Sequence, residues 1–494
     1  MSSSGQTTSL LEFGVPGKGD SVAVAYEDAA VTYRELNSRV GQLAARLHVQ
    51  PGERIVVVAP NVPGLVVAMF AAWKLGAVVV PLSARLRSFE LERVFGAVEA
   101  TAAISVAAHA RFDLAREVLR LQAKTPTLAE CLIIDPLGSV FDQTRAPAEQ
   151  VAPLPEAVAA VLYTSGTTGE PKGVLVSHRQ AQAQSEDLPP LLGDYGGEPC
   201  GLTAPATHSF GLGCMLCTLA ARGMLILTEA SASVAPLVNA LRETKARVLY
   251  GSPALFTRLL DVPADMSLRR GFTGGSSCPQ EVFERCDQRG LRLLSLYGMT
   301  ESGGACCPRG EDPPEVRYRT AGRPLAGYEF RIATHGYAPA GMGEIQVRST
   351  YISSRYFSRE WTSNETAGDG WFRTGDLGSI DASGNVSVMG RAKEVIHVGG
   401  FSVFPAEVET FLITHPHIIQ AAVVGVPHSV MGEVPLAFVV PDGDVELTPA
   451  EVVRFAREGI AGYKVPYRVR ILAELPTLPS GKLDRRRLRE MAVD

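Results

Sequence analysis

Apolar and polar positions alternate along much of the chain in blocks that read as helices and buried strands. Thr32 followed by Glu35 forms a capping-box signature, in which the hydroxyl accepts one orphan N–H and the carboxylate reaches back to another, so a helix should begin just after Thr32. Arg54 to Ala59 reads as a buried strand. Pro63 to Leu75 reads as a helix, because proline is tolerated in a first turn, and Gly76 ends it. Ala77 to Leu82 reads as the next strand. Strand–helix–strand order predicts a parallel sheet covered by helices on both faces. The same alternation returns between Val158 and Leu296. From about Ala321 to Met389 the strands shorten and Gly and Asp fill the turns, which predicts a small β-rich piece. After Lys393, separate helix and strand signals run from Pro405 to Leu488. No repeat stands out at solenoid or propeller periods.

A chain of 494 residues is long enough for about three domain-sized units. With 46% hydrophobic and 20% charged residues it can bury a large core and is not expected to be disordered. A net charge of -5 argues against nucleic acid as the main partner. Met1 to Thr8 is Ser-rich and lacks the apolar core of a secretory signal. No apolar run reaches the roughly 18 residues of a membrane span, and the last three residues are not a peroxisomal address. A cytoplasmic location is therefore expected. Eight cysteines in so long a chain do not suggest a disulfide framework. Cys214 and Cys217, at i,i+3 spacing in the apolar stretch Leu212 to Ala221, read as buried packing on one helix face.

The strongest chemical signal is Tyr163-Thr164-Ser165-Gly166-Thr167-Thr168-Gly169-Glu170-Pro171-Lys172-Gly173, which follows the strand-like run Ala157 to Leu162. Its glycines permit tight turns, its hydroxyls and N–H groups can wrap phosphate oxygens, and Lys172 adds positive charge. It is not the nucleotide P-loop, which needs Gly-Lys-Ser/Thr after the second glycine. Six further strings follow in order: Leu296-Tyr297-Gly298-Met299-Thr300-Glu301, Ala321-Gly322-Arg323-Pro324, Trp371-Phe372-Arg373-Thr374-Gly375-Asp376-Leu377-Gly378, Gly390-Arg391-Ala392-Lys393-Glu394, Gly399-Gly400-Phe401-Ser402-Val403-Phe404-Pro405-Ala406-Glu407, and Pro479-Ser480-Gly481-Lys482-Leu483-Asp484-Arg485. Together these resemble the adenylate-forming superfamily of acyl-CoA synthetases, aryl-CoA ligases, free-standing adenylation domains and beetle luciferases. The resemblance runs through nearly the whole chain.

The resemblance implies an α/β fold. A large N-terminal domain, residues 1–392, would hold two α/β lobes and a β-rich subdomain, followed by a small mobile α+β C-terminal domain, residues 393–494. It implies an ATP-dependent acid–thiol ligase using ATP, Mg2+ and coenzyme A. The first step makes acyl-AMP and pyrophosphate, and the second passes the acyl group to the thiol. Charge accumulates on several oxygens in the first step, so fixed cations and donors must stabilise it. Lys482 is the candidate to bridge carboxylate and α-phosphate, with Lys172 and Thr300 as further catalytic donors. Glu301 is the candidate Mg2+ ligand, since this hard cation takes few protein carboxylates and keeps waters and phosphate oxygens. Thr164, Ser165, Gly166, Thr167, Thr168 and Gly169 would hold phosphates. Ser276, Ser277, Tyr297 and Gly298 would border the adenine. Asp376, acceptor-only when ionised, suits two ribose hydroxyls, with Arg391 behind it. Lys393 falls at the family's hinge. About it, the C-terminal domain would present either Lys482 or the thiol-acceptor glycines Gly399 and Gly400.

For the acid, the expected walls are His208, Tyr250, Ser252, Gly274, Gly275, Gly303, Gly304 and Ala305. Amino-acid-activating relatives carry Phe-Asp where this chain has Thr207-His208, which argues against an α-amino acid. Small residues at Gly304 and Ala305 predict room for a bulky or long, largely apolar acid, unless Cys306 or another side chain fills the space. Arg258 would instead suit a malonate-like dicarboxylate. The motifs also leave open a carrier-protein thiol in place of CoA, a specialist in one half-reaction, and a non-catalytic nucleotide-binding protein.

Overall fold

The computed structural model describes residues 19–139, 157–164, 172–228, 233–263, 266–334, 341–353, 356–357, 369–398, 401–443, 445–478 and 482–493. The first expected elements are present nearly to the residue. Thr32 caps helix Tyr33–Arg46 in a complete capping box with Glu35. Strand Arg54–Ala59, helix Pro63–Lys74 and strand Val78–Ser83 follow. Helix Pro63–Lys74 is buried along almost its whole length. Its Trp73 indole N–H donates to the Ala159 carbonyl at 2.8 Å, giving the one polar atom of a core side chain its partner.

Two large sheets build the N-terminal part. The first has seven strands, with Arg54–Ala59, Val78–Ser83, Ala102–Val106, Glu130–Ile134 and Val158–Thr164 running parallel. Val158–Thr164 then turns back antiparallel into Lys172–Ser177, and Tyr356–Phe357 adds the outer strand. The stretch from Val158 onward thus opens on a hairpin rather than a crossover. The segment between the two strands is too short for the helix a parallel return requires. The second sheet has nine strands. Its parallel centre includes Cys200–Leu202, Val248–Tyr250, Arg270–Gly274 and Arg292–Met299, and Gly303–Cys307 folds back antiparallel beyond them. One continuous core joins both sheets through helices such as Ser209–Ala220. Cys214 and Cys217 are buried on that helix, and burial pushes both thiols up, so they are packing groups.

The expected β-rich piece is a four-stranded antiparallel sheet of Glu329–Thr334, Gly343–Arg348, Phe372–Ile380 and Val386–Arg391. A single 3-10 turn, Ala392–Glu394, leads out of it. The C-terminal part is a five-stranded sheet of Ile396–Val398, Phe401–Val403, Ile418–His428, Gly432–Pro441 and Arg468–Ile471, with helices Pro405–Ile413, Pro449–Gly459 and Arg485–Val493. It has apolar clusters of its own on both faces of the sheet, separate from the N-terminal core. No helix among the described residues is long and apolar enough to cross a membrane.

Candidate active site

Antiparallel pairing places Asp376 opposite Arg391. The Arg391 Nε lies 2.7 Å from Asp376 Oδ1, and the guanidinium also donates to the Thr374 carbonyl at 3.1 Å. The Tyr297 hydroxyl, from the end of strand Arg292–Met299, donates to the other Asp376 oxygen at 2.7 Å. Burial raises the pKa of Asp376 against the pull of Arg391 and Tyr297, and burial beside this carboxylate pushes the Tyr297 phenol well up. An ionised carboxylate has about four acceptor positions, so each oxygen keeps one for a diol.

The turn after Met299 is held from three sides. The Gln180 amide donates to the carbonyls of Thr300 and Glu301 at 3.1 and 3.2 Å. The Ser353 N–H donates to the Glu301 carbonyl at 2.8 Å. The Tyr356 hydroxyl donates to Glu301 Oε1 at 2.9 Å, and the Lys172 ammonium lies 5.1 Å from the centre of the Tyr356 ring. Gln180, Ser353 and Tyr356 are absent from the sequence-based candidates. Gln180 and Gln184 are buried polar residues at i,i+4 on helix His178–Asp187, and that spacing is a signal the chain did carry. Nothing local marks Tyr356.

Lys482 reaches across from the C-terminal part to Gly275. A Cβ on Gly275 would lie 3.2 Å from Lys482 Cε and 3.7 Å from its Nζ. Burial and the Arg391 charge lower the pKa of this ammonium, while Glu301 and Asp376 oppose them. His208 faces the same enclosure. Burial and then the Lys482 charge bring its pKa down to about 4, so the imidazole is neutral near pH 7. Its Nε2 is buried and makes no hydrogen bond to the described residues. Asn61 fixes the loop before it by donating to the Ala204 carbonyl and accepting from the Ala206 N–H, both at 2.9 Å. A cation, a neutral imidazole with an open nitrogen and the glycines Gly274 and Gly275 therefore surround one space. That donor set suits a carboxylate beside a phosphate. Glu301 supplies a single carboxylate, the number Mg2+ commonly takes beside substrate phosphates.

Ser276 and Ser277 lie exposed beyond strand Arg270–Gly274. Thr164 and Lys172 face each other in register across the hairpin, while Ser165, Gly166, Thr167, Thr168 and Gly169 between them lie outside the described residues. Gly399 and Gly400 also lie outside them, joining Val398 and Phe401, which pair. Lys393 sits in the 3-10 turn. Arg485, three residues after Lys482, pairs with Glu394 at 3.3 Å and with Glu409 at 2.9 Å.

Several expected pocket walls are elsewhere. Tyr250 is in the core, 2% exposed, stacked on Phe272, with its hydroxyl engaged by Thr218 and Cys217. It packs on helix Ser209–Ala220 from below. Ser252 caps helix Pro253–Leu260 by accepting from the Leu255 N–H, and Arg258 lies in that helix's last turn, half-buried. The small residues after Ser302 do not open a cavity. A Cβ on Gly304 would meet Leu296 at 2.9 Å, and one on Gly303 would meet Gln184 at 2.6 Å. Ala305 is fully buried, and Cys306 donates to the Ala321 and Gly322 carbonyls. The glycines serve close strand approach instead: a Cβ on Gly298 would overlap the Gly303 carbonyl, at 1.8 Å.

Comparison with known proteins shows the family. The AMP-binding enzyme family matches residues 12–357, and the AMP-binding enzyme C-terminal domain matches residues 407–482. The chain belongs to this family of adenylate-forming, acyl- or aryl-CoA ligase-like enzymes. It is an AMP-forming acid–CoA ligase that uses ATP, Mg2+ and coenzyme A and works through an acyl-adenylate. A 3-[(3aS,4S,7aS)-7a-methyl-1,5-dioxo-octahydro-1H-inden-4-yl]propanoyl:CoA ligase of Rhodococcus jostii is 32% identical, covering 98% of each chain. A 2-succinylbenzoate–CoA ligase of Bacillus mycoides is 30% identical over 96% of each. Among solved structures, ATP-bound MatB from Rhodopseudomonas palustris superposes with a TM-score of 0.87 at 26% identity, over 98% of each chain.

Proposed function

We propose that this site activates a ring-bearing, largely apolar carboxylic acid. The observation that carries the reading is the joint enclosure of Lys482, His208 and Gly275. The acid's carboxylate attacks the α-phosphorus of ATP, the bond to pyrophosphate breaks, and acyl-AMP forms. Lys482 holds the carboxylate and α-phosphate oxygens together and neutralises charge as it develops. His208, neutral, donates a ring N–H to the carboxylate without competing with Lys482 for the anion. Asp376, with Tyr297 and Arg391, holds the ribose diol. Thr300, Lys172 and the loop 164–169 hold phosphates, and Ser276, Ser277 and Gly298 border the adenine. Glu301 would hold Mg2+, which supplies charge neutralisation on the phosphates when bound.

Both related CoA ligases act on acids that pair a carboxylate-bearing arm with a carbocycle, which supports a ring-bearing acid; the Rhodococcus acid has a single carboxylate, whereas 2-succinylbenzoate carries a second one on its ring. Gly303 and Gly304 pack against Gln184 and Leu296, and Gly274 packs against Phe210, so these glycines serve close approach rather than mark the ring's place. No observation favours the dicarboxylate reading through Arg258. The second step places the thiol at Gly399 and Gly400 after the C-terminal unit, residues 393–494, turns about Lys393. Coenzyme A is the acceptor, and the reaction is assigned to the cytoplasm.

A panel of carboxylic acids tests this, scored for acid-dependent pyrophosphate release with MgATP and for acyl-CoA formation. Turnover of cyclic aryl- or alkylpropanoic acids above short-chain and malonate-like acids is expected. Preference for malonate-like acids would replace the proposed substrate class.

A further inference from the structure

We propose that Tyr356 is a positioning residue that couples the end of the phosphate hairpin to the metal-binding carboxylate: its hydroxyl orients Glu301 and its ring face seats Lys172. The inference rests on the reading of Glu301 as the Mg2+ ligand and of Lys172 as a phosphate contact.

Tyr356 comes from a separate part of the chain, and the fold brings it to the site by strand pairing. Tyr356 lies opposite Val174 and Phe357 opposite Gly173, so the two-residue strand runs beside the strand that Lys172 begins. The glycine makes this approach possible, since a Cβ on Gly173 would lie 3.2 Å from Phe357 Cβ and 2.7 Å from Val161. Tyr356 is 6% exposed, so its hydroxyl is aimed at protein rather than water. It donates to Glu301 Oε1 at 2.9 Å, and its ring lies 5.1 Å from the Lys172 ammonium.

Two consequences follow from the chemistry. A carboxylate that accepts one hydrogen bond on Oε1 is fixed in rotation and presents Oε2 to a cation, so less ordering remains to be done when the metal binds. A cation held over an aromatic face is attracted by the ring's quadrupole, an interaction that does not consume its hydrogen-bond donors. Lys172 is thereby steadied at the end of the hairpin. One side chain thus holds a cation by its face and an anion by its hydroxyl, and sets the spacing between them.

The two parts of the tyrosine can be removed one at a time. ATP binding is measured by calorimetry without acid, in Mg2+ and in EDTA, for the full chain and its variants. The ratio of the two dissociation constants reports the metal's contribution. Tyr356→Phe keeps the ring, and should lower that ratio at least fivefold while leaving the EDTA value within twofold. Tyr356→Leu should lower the ratio equally and also weaken ATP binding in EDTA by threefold or more. Glu301→Gln, run in parallel, tests the metal reading alone and should bring the ratio close to one. If Glu301→Gln leaves the ratio unchanged, the metal reading fails. If Glu301→Gln lowers it and Tyr356→Phe does not, the tyrosine's orienting role is overturned. Equal EDTA values for Tyr356→Leu and Tyr356→Phe would remove the ring's role.

Discussion

Lys482 packs its last methylene and ammonium over the backbone of Gly275, at a point where a single added carbon would touch them. Gly275 also has φ +80°, a left-handed conformation that costs other residues about 1–2 kcal/mol. The glycine is thus both the turn and the floor on which the lysine lies. Lys482→Ala should cut acid-dependent pyrophosphate release by about a hundredfold or more, as loss of a preorganised cation does. Thioester formation from supplied acyl-AMP should stay near the parent rate. Gly275→Ala should show the same selectivity in milder form. Rapid-quench measurement of each half-reaction separates them, and equal losses in both steps would make Lys482 structural.

The Asp376 carboxylate spends one position on Tyr297 and one on Arg391. Asp376→Asn keeps the shape but replaces one acceptor with a donor that faces Tyr297 or Arg391. Hydrogen bonds to a charged group contribute about 1.5–3 kcal/mol, so the KM for ATP should rise roughly ten- to a hundredfold. The KM for the acid should move much less. Steady-state titration of each substrate checks the split.

Burial brings His178 down to about 4, as it does His208. Both stay neutral in the folded chain while an unfolded histidine takes up a proton near pH 6.5. Stability should therefore be full above pH 6.5 and fall as pH drops from there toward 4, because the unfolded state binds more protons in that window. His178, 6% exposed, accounts for up to about 3 kcal/mol of it. Thermal unfolding from pH 5 to 7.5, above the carboxylate range, should show the slope, and His178→Gln should reduce it. A flat profile for the parent chain would contradict the burial argument. Activity in the same range should show no inflection from His208.

Gly304 faces Leu296 rather than a cavity. Gly304→Val should destabilise the protein by about 1–3 kcal/mol, as overpacking does, and leave the order of preferred acids unchanged. Thermal unfolding together with the acid panel checks this. A swing toward smaller acids without loss of stability would mean that Gly304 lines the pocket after all.

Much of this was readable in the chain. The capping box at Thr32 and Glu35, the strand Arg54–Ala59 and the helix after Pro63 depend on neighbouring residues alone, and they stand where local chemistry puts them. Asp376, Tyr297, Glu301 and Lys482 lie in the strings that carry the family resemblance, and it is the resemblance that implies their phosphate and diol roles. The pocket walls were less legible. Gly304 was judged by its size and Tyr250 by its place in the resemblance, but their roles depend on what the neighbouring strand or helix presents to them. The backbone clamps by Ser353 and Asn61 were invisible for the same reason, since each joins segments far apart in sequence, and Gln180 carried only its i,i+4 spacing with Gln184, not its partner.

Arg485 ties the Lys482 segment to Glu409 on one side and to Glu394 of the connecting turn on the other. The ammonium over Gly275 is therefore the tip of a stiff arm whose root is the linker between the two parts of the molecule. A rotation of a few degrees at that root moves the charge bodily instead of letting the side chain stretch to follow. Under the roles proposed for Lys393 and Lys482, withdrawal of the lysine and departure of the C-terminal sheet become one event. On that proposal, mechanical linkage orders the two chemical steps, before any difference in substrate affinity is considered.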